Sequence, residues 1–440
     1  MFYREKFLEF ESKNDLFQLE EDGIHVWDVL RHHVFVEYSW DNYVEQGPLK
    51  EPALRMLRRV LRRAGYLIIF LFRKRRSNLF FIHSRDRTPD GRFLDRNAND
   101  ILERIGKDSF LLETFEGDGV RYAYPVDLIN PASIFNRLYK LFYKKKDYSW
   151  LVDKINSELG LSWNNEIVNR HMRYFRSEGL FFKWVFRLKK IKRLYVSFHS
   201  QKSHYYAARL CGIESIEIQH GVMDYGHLDY NYPPGIVAGG KVHCPDVLLT
   251  YGAFWSREIN YPVRKVLVLG NSIVSRIGRT ERAVPTGPLT LLFISADVFG
   301  VRLGELAIEY VKLHPGSTIL FKLHPNQFSR RKEYVDRFRQ YPAIRVLTNE
   351  QATSELILHC DAVVLIQSTI AYEALQAGVP VFIYKRMTYF RHGLIFDHPN
   401  VHLIDDAPAL VLREKSSVAE GDIFFEEFDE SVYLLIANPH

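Results

Sequence analysis

Apolar runs recur along this chain with a beat that alternates strand and helix, and the pattern is sharpest over residues 319–384. Residues 319–323 form a short apolar run that breaks at His324-Pro325. Residues 362–366 form a second, which breaks at Gln367-Ser368-Thr369. A stretch of helical character follows over 370–377 and stops at Gly378, and 379–383 opens another strand. Near-continuous β-branched runs of this length, separated by helical segments, predict parallel strands buried on both faces. In such sheets ligands sit outside the carboxyl ends of the strands. His324 and Ser368-Thr369 both fall there, and two polar groups delivered to one edge by neighbouring strands make a candidate anion site.

The same alternation fills the rest of the chain. Strands are predicted at 78–83, 110–114, 194–198, 216–218, 247–250, 266–269 and 289–295, with helices at 97–105 and 203–210 between them. Residues 134–190 read as mostly helical and basic. Trp27, Leu30, Val34 and Tyr38 recur at helical spacing and predict an amphipathic helix in a small N-terminal prelude. Pro285, Gly287 and Pro288 mark a linker-like piece.

The pattern predicts an α/β protein with two Rossmann-like domains facing across a cleft and an N-terminal helical extension. The expected division is 1–76 helical and basic, 77–260 the first Rossmann-like domain, 261–405 the second, and 406–440 a tail that packs back on the first.

The length of 440 residues exceeds one ordinary core, which agrees with two domains. Hydrophobic residues at 47% with 25% charged exclude wholesale disorder. Cys211, Cys244 and Cys360 show neither pairing nor metal spacing and fit a reducing compartment. Residues 1–11 are charged throughout, unlike a secretory leader. No apolar run approaches the roughly 20 residues that span a bilayer. The expectation is a cytoplasmic protein, or one peripheral to the inner face of the cytoplasmic membrane. The net charge of +6 is unevenly placed, in basic clusters at 55–76, 140–146 and 187–193. The first mixes arginines with an apolar run. It suits an anionic membrane surface, and equally a solvated helix leading into the first buried strand.

The candidate chemistry lies at strand ends. His324 can donate to a phosphate oxygen while Lys322 adds charge, and Pro325 turns the chain away; the plainer reading is a capped turn histidine. Ser368 or Thr369 caps the next helix, and the same helix start is a phosphate site. Glu373, one turn in, reaches a ribose hydroxyl or is a surface carboxylate favoured by the dipole. Gln219-His220-Gly221 ends a strand of the first domain. His220 is a candidate general base or a histidine that packs. Glu116, Asp118, Asp224 and His199 are the other base candidates. Gln219, Gly221, His199, Gly270, Asn271 and Ser295 are expected to line the cleft. Phosphate-loop and dinucleotide glycine fingerprints are absent. No histidine spacing suggests a metal. Neither a metal, a cofactor nor a nucleic acid is expected.

Together, Gln219-His220-Gly221, Lys322-Leu323-His324-Pro325, and Ser368-Thr369 followed by Tyr372-Glu373-Ala374-Leu375 and Gly378-Val379-Pro380 resemble the GT-B glycosyltransferases of bacterial surface polysaccharides. The nearest in pattern are capsule-type sialyl- and polysialyltransferases, Kdo transferases, and the polyol-phosphate transferases of teichoic-acid synthesis. The resemblance spans roughly 194–403. It implies a GT-B-like fold in which His324 and Ser368-Thr369 hold the nucleotide and its phosphate. It also implies His220 at the active site, matching a Trp-His-Gly segment in the teichoic-acid group.

The acidic motif that carries the base in the sialyltransferase group has no secure match. Glu21-Asp22-Gly23 spells it but precedes the first strand. Of the paired glutamates of retaining enzymes only Glu373 is present, with Leu365 where the first belongs, which favours inversion. The resemblance implies a sugar passed from a nucleotide-sugar donor, a CMP-sugar before a UDP-sugar, to a saccharide or lipid-linked saccharide acceptor. The alternatives are a CDP-polyol phosphotransferase, a sugar-nucleotide epimerase, and a non-catalytic assembly protein on the same fold.

Overall fold

The computed structural model describes residues 2–39, 53–84, 86–88, 90–114, 120–198, 201–236, 242–257, 259–277, 285–296, 299–385, 393–412 and 423–437. The chain divides into two compact units. Unit 1 takes Met1–His220, Leu228–Thr250 and Asn260–Leu267; unit 2 takes Gly221–His227, Tyr251–Ile259 and Val268–His440.

Unit 1 opens with α1 (Phe2–Lys13), a small hairpin of β1 (Glu20–Glu21) and β2 (Ile24–His25), then α2 (Val26–Ser39) and α3 (Ala53–Phe72). Next come β3 (Asn78–Ile82), a hairpin of β4 (Asp86–Arg87) and β5 (Phe93–Leu94), α4 (Asn99–Ile105), β6 (Ser109–Glu113) and β7 (Leu128–Ile129). Three helices follow, α5 (Ala132–Tyr139), α6 (Ser149–Leu159) and α7 (Asn165–Lys189). The unit ends with β8 (Arg193–Val196), α8 (Lys202–Arg209), β9 (Glu214–Ile218), β10 (Val247–Thr250) and β11 (Lys265–Val268). Among the described residues the main strands form one sheet in the order β11-β10-β9-β8-β3-β6-β7. Its core strands pair in parallel. Phe81, Leu112, Leu194 and Val196 pack beneath Phe181, Phe182 and Phe186 of α7, all buried.

Unit 2 runs β12 (Thr290–Ile294), α9 (Gly300–Leu313), β13 (Thr318–Lys322), α10 (Arg331–Arg337), β14 (Ile344–Leu347), α11 (Thr353–Leu358), β15 (Ala362–Leu365), α12 (Ile370–Gln376), β16 (Val381–Tyr384), β17 (Val401–Ile404) and α13 (Glu430–Ala437). Its sheet is parallel throughout, in the order β14-β13-β12-β15-β16-β17. Numbered from its first strand this is 3-2-1-4-5-6, the doubly wound order. Unit 1 has the same order about β3, extended by one strand. Both halves are therefore Rossmann-like, as the alternation of the sequence predicts. Lys312-Leu313 end α9, and His314 is its C-terminal cap.

Three expectations about the division need correction. The boundary set at 260/261 cuts off β11, which hydrogen-bonds at the edge of the first sheet. The N-terminal segment is not a separate extension but is bolted into unit 1 through buried charges. Arg31 binds both oxygens of Glu11 and donates to the carbonyls of Leu228 and Asn231. Lys202 donates to the carboxylate of Asp28 at 2.8 Å. Removing one partner of a buried pair of this kind costs about 3–5 kcal/mol. Third, the described part of the tail packs inside unit 2. Gln376 of α12 accepts from the amides of Phe424 and Phe425 at 2.9 and 2.8 Å. Trp255 Nε1 donates to Phe424 O, 2.6 Å away. Residues 251–255, assigned from sequence to the first domain, thus belong with the second, and the tail lies on them.

Candidate functional site

In a doubly wound sheet the loops after the first and fourth strands leave in opposite directions and open a crevice at the strands' carboxyl ends. Unit 2 has this switch point between β12 and β15. Ser295 follows β12, and Gln367-Ser368-Thr369 follows β15. His324 ends the run after β13 on the far side of β12. His324 and Ser368 therefore share the edge but not neighbouring strands. β12 lies between them, which spaces the two strand ends by roughly 10 Å. The expectation that adjoining strands deliver both groups is corrected by this order.

The turn carrying His324 is tightly held. Pro325 starts a 3-10 turn over Pro325–Arg330, with His324 as its cap. The His324 amide donates to Gln327 Oε1 at 3.0 Å, and its ring Nδ1 accepts from the Asn326 amide at 3.3 Å. An accepting Nδ1 places the neutral ring's proton on Nε2, so that atom is the ring's donor. Gln327 is buried. Its Oε1 also accepts from Ser295 Oγ at 2.7 Å, and its Nε2 donates to Tyr334 Oη at 2.9 Å. Ser295 thus links β12 to the histidine turn. Gly300, at the start of α9, makes room for this knot. A Cβ there would stand 2.3 Å from Gln327 Nε2 and Tyr334 Oη and 2.6 Å from Ser295 Oγ.

Other predicted residues behave differently. Lys322 spends two donors on the carbonyls of Thr348 and Gln351, each at 2.7 Å. It braces the loop after β14 rather than extending its charge to a ligand. Thr369 caps α12 without a side-chain bond. Ser368 Oγ accepts from the Ile370 amide at 3.3 Å. The amides of Ala371, Tyr372 and Glu373 bond to the carbonyls of Ser368 and Thr369. The helix start is therefore largely satisfied locally, and an anion there would meet the Thr369 hydroxyl and the dipole. Glu373 is fully buried, so it is not a surface carboxylate. Gly270 and Asn271 serve the tail instead of a cleft. Gly270 has φ 75°, and a Cβ on it would lie 2.0 Å from Glu427 O. The Asn271 amide donates to Glu426 O at 2.9 Å. Asp224 is buried and accepts from the Gly226 amide at 3.0 Å, holding its own turn. Gly221 faces open space at its Cβ position. Glu116, Asp118 and His199 lie outside the described residues. Glu21 and Asp22, at the β1–β2 turn, are paired with Lys146 and Arg176.

Unit 1 has its own switch point, between β3 and β8, and its residues were missed by sequence reasoning. His83 and Ser84 follow β3; Ser197 and Phe198 follow β8. Asp95 ties the two ends together. It accepts from the His83 amide at 2.8 Å, from Ser197 Oγ, and from the amides of Asn97 and Ala98 before α4. Burial pushes its pKa up to about 6. Glu113, buried at the end of β6, accepts from the amides of Ser84 and Thr114. The His83 ring bonds Thr114 Oγ1 and stacks on Phe198 with centroids 5.0 Å apart. Phe198 in turn lies 5.4 Å from the ring of His220. A row of rings thus runs from the switch point to the predicted His220. Beside it opens a pocket of about 350 Å³, lined by His33, His171, Tyr174, Glu178, Phe198 and Gln201 among others.

One feature is common to both edges. Ser84 Oγ in unit 1 and Gln367 Oε1 in unit 2 are buried with no partner among the described residues. A buried polar atom left unpaired costs about 1–3 kcal/mol, so each is an open hydrogen-bonding position at a strand end. The sequence signal was available, since both residues lie within two positions of the end of an apolar strand run.

Residues 306–408, from within α9 to just beyond β17, match the family described as capsule polysaccharide biosynthesis protein. Among curated proteins no sequence matches the chain. Among solved structures, UDP-GlcNAc 2-epimerase of Methanocaldococcus jannaschii, in complex with UDP-GlcNAc and UDP, is similar at 14% identity. The match covers 82% of this chain and 99% of that one, with a TM-score of 0.47. The Neisseria meningitidis UDP-GlcNAc 2-epimerase bound to UDP-GlcNAc is 12% identical over 82% and 92%, with a TM-score of 0.46. Acinetobacter baumannii MurG is 12% identical over 76% and 87%, with a TM-score of 0.38. None of these scores reaches 0.5, so they mark a distant likeness and not an equivalence of activity. The segment that matches the capsule polysaccharide biosynthesis family lies within the second Rossmann-like unit and includes its histidine turn and its serine-threonine helix start.

Proposed function

We propose that the protein is a glycosyltransferase of surface-polysaccharide synthesis. It takes a nucleotide-sugar donor on unit 2, and a saccharide or lipid-linked saccharide acceptor on unit 1. The observation that carries this reading is the unit 2 switch point, inside the segment that matches the capsule family. There the His324 Nε2–H donor and the unpaired Gln367 Oε1 flank Ser295. The donor's phosphate accepts from His324 and sits toward the positive end of α12, and charge that develops on the leaving phosphate is met by these fixed groups. Gln367 receives a hydroxyl or N–H of the nucleotide. In unit 1 the ring row His83, Phe198, His220 and the adjoining pocket, with aromatic walls and a carboxylate, suit a sugar ring. His220, at the end of that ring row, is the base of this reading. Transfer with inversion and with a CMP- or UDP-sugar is the form of the reaction favoured.

The test is thermal stabilisation by CMP, CDP, UDP and GDP. Binding raises stability by mass action, so the cognate nucleotide should raise Tm by several degrees. His324→Ala, whose own Tm should fall by no more than the loss of one exposed cap bond, should bind it roughly 10- to 100-fold more weakly, the worth of one hydrogen bond to a charged group. Stabilisation by none of the four overturns the proposal. Stabilisation by CDP alone favours the polyol-phosphate chemistry. Conversion of a UDP-sugar without any acceptor would make the protein an epimerase.

A further inference from the structure

Helix α3 presents its apolar side outward. Leu57, Leu61, Ile68 and Phe72 are 53%, 62%, 57% and 85% exposed. Successive steps of four, seven and four residues put them on one stripe of a 3.6-residue helix, with Ala64 and Leu71 within it. The opposite side, with Tyr66 and the fully buried Phe70, packs on the core of unit 1. The helix has 20 residues and is about 30 Å long. A surface helix of a globular protein normally does the reverse and turns its apolar stripe inward.

The stripe continues onto a second element. Arg63 donates to Ser133 Oγ at 2.9 Å, and Arg137 approaches Met56 Sδ at 3.9 Å, so α5 runs beside the first half of α3. Just beyond α5, Leu141 and Phe142 are 77% and 79% exposed, and Leu138 at its end is exposed too. Exposed apolar surface shared by two elements marks a contact site for something apolar.

The charge around it selects the kind of surface. Residues 53–76 contain no aspartate or glutamate. Arg58, Lys74 and Arg75 are exposed at the border of the stripe, and Lys140 and Lys144 border Leu141 and Phe142. Apolar side chains at the centre with these cations at the rim match an acyl-chain boundary beneath anionic headgroups. Among the described residues no helix is long and apolar enough to cross a membrane, so the contact is one of lying on the surface.

We propose that α3 and the segment after α5 form a docking surface for an anionic lipid bilayer. Leu57, Leu61, Ile68 and Phe72 enter the interface, and Arg58, Lys74 and Arg75 meet the headgroups. This proposal is independent of the donor and of the reaction.

The experiment is flotation of the full chain with vesicles of phosphatidylcholine alone, and with 30% phosphatidylglycerol. The parent should float with the anionic vesicles and stay behind with the neutral ones. Leu61→Glu, Ile68→Glu and Phe72→Glu together should abolish flotation while leaving Tm unchanged, because these side chains are solvent-exposed. Arg58→Gln, Lys74→Gln and Arg75→Gln should weaken binding roughly 100-fold, each charge near the surface being worth about a factor of five. This second variant decides the matter should the first fail to fold. No flotation of the parent, or undiminished flotation of either variant, overturns the proposal. So does a parent dimer that does not float and that the glutamate variant splits into monomers, which would make the stripe a contact between two copies of the chain.

Discussion

Gly300→Ala tests the knot that holds the histidine turn. The added methyl would stand 2.3 Å from Gln327 Nε2, 2.3 Å from Tyr334 Oη and 2.6 Å from Ser295 Oγ. Real carbons do not approach so closely, so Gln327 must leave. Its Oε1 then releases Ser295 Oγ and the His324 amide, and its Nε2 releases Tyr334 Oη. Overpacking costs about 1–3 kcal/mol, and each buried partner left unpaired about 1–3 kcal/mol. Alanine in place of glycine near the start of α9 returns at most about 1 kcal/mol of helix propensity. Near the low end of each range, since the three atoms met are side-chain ends that can give, the clash wins by about 3–5 kcal/mol. At roughly 2–4 °C per kcal/mol for a unit of this size, scanning calorimetry should show the unit 2 transition about 6–20 °C lower. Nucleotide binding should fall with it, because His324 loses its anchor. Combining the change with Gln327→Ala should cost less than the sum of the single changes, since both disturb one network. An unchanged or raised transition, or strict additivity, would refute the reasoning.

Three further outcomes follow from buried polar groups. Glu217 is fully buried and accepts from Tyr205, Tyr230 and Tyr261, and burial raises its pKa to about 7. Because the folded pKa lies above the unfolded one, its stabilising contribution is complete below about pH 4.5 and is lost as pH rises through about 7. The urea midpoint of the parent should therefore fall across that window more than that of Glu217→Gln; parallel profiles would contradict this. Gln367→Met removes an unpaired buried oxygen, so it should leave Tm equal or slightly higher while nucleotide binding weakens about tenfold or more; a Tm several degrees lower would show that the amide is structural. Ser84→Ala should likewise spare Tm while slowing turnover, and full turnover would take Ser84 out of the site.

The strands, their parallel pairing and the polar residues at their ends were legible because strands buried on both faces read as unbroken apolar runs. His324, Gln367 and Ser368 stood out for that reason. The order of the strands was not legible. Nothing local says that β12 separates β13 from β15, so His324 and Ser368 were set one strand too close. Nor does it say that β8 returns beside β3 after α4 to α7, which is why His83, Ser84 and Asp95 escaped notice although their strand was recognised. The strut role of Lys322 depends on carbonyls of a loop beyond the next strand, and that of Gly300 on Gln327 and Tyr334. These are meetings of distant residues that no window of sequence contains. Arg31 is a buried clasp of the same kind, since the carbonyls of Leu228 and Asn231 that it binds lie far along the chain.

Membership of the two units also bears on how the polypeptide can be cut. Unit 2 borrows Gly221–His227 and Tyr251–Ile259 from the middle of the chain, and Trp255 is buried against Tyr372 and Phe425. A fragment begun at residue 268 would lack that tryptophan, and one stopped before residue 424 would leave Gln376 without its clamp. A cut between the units at residue 268 thus parts unit 2 from residues it packs around, and synthesis must pass residue 425 before that unit can close.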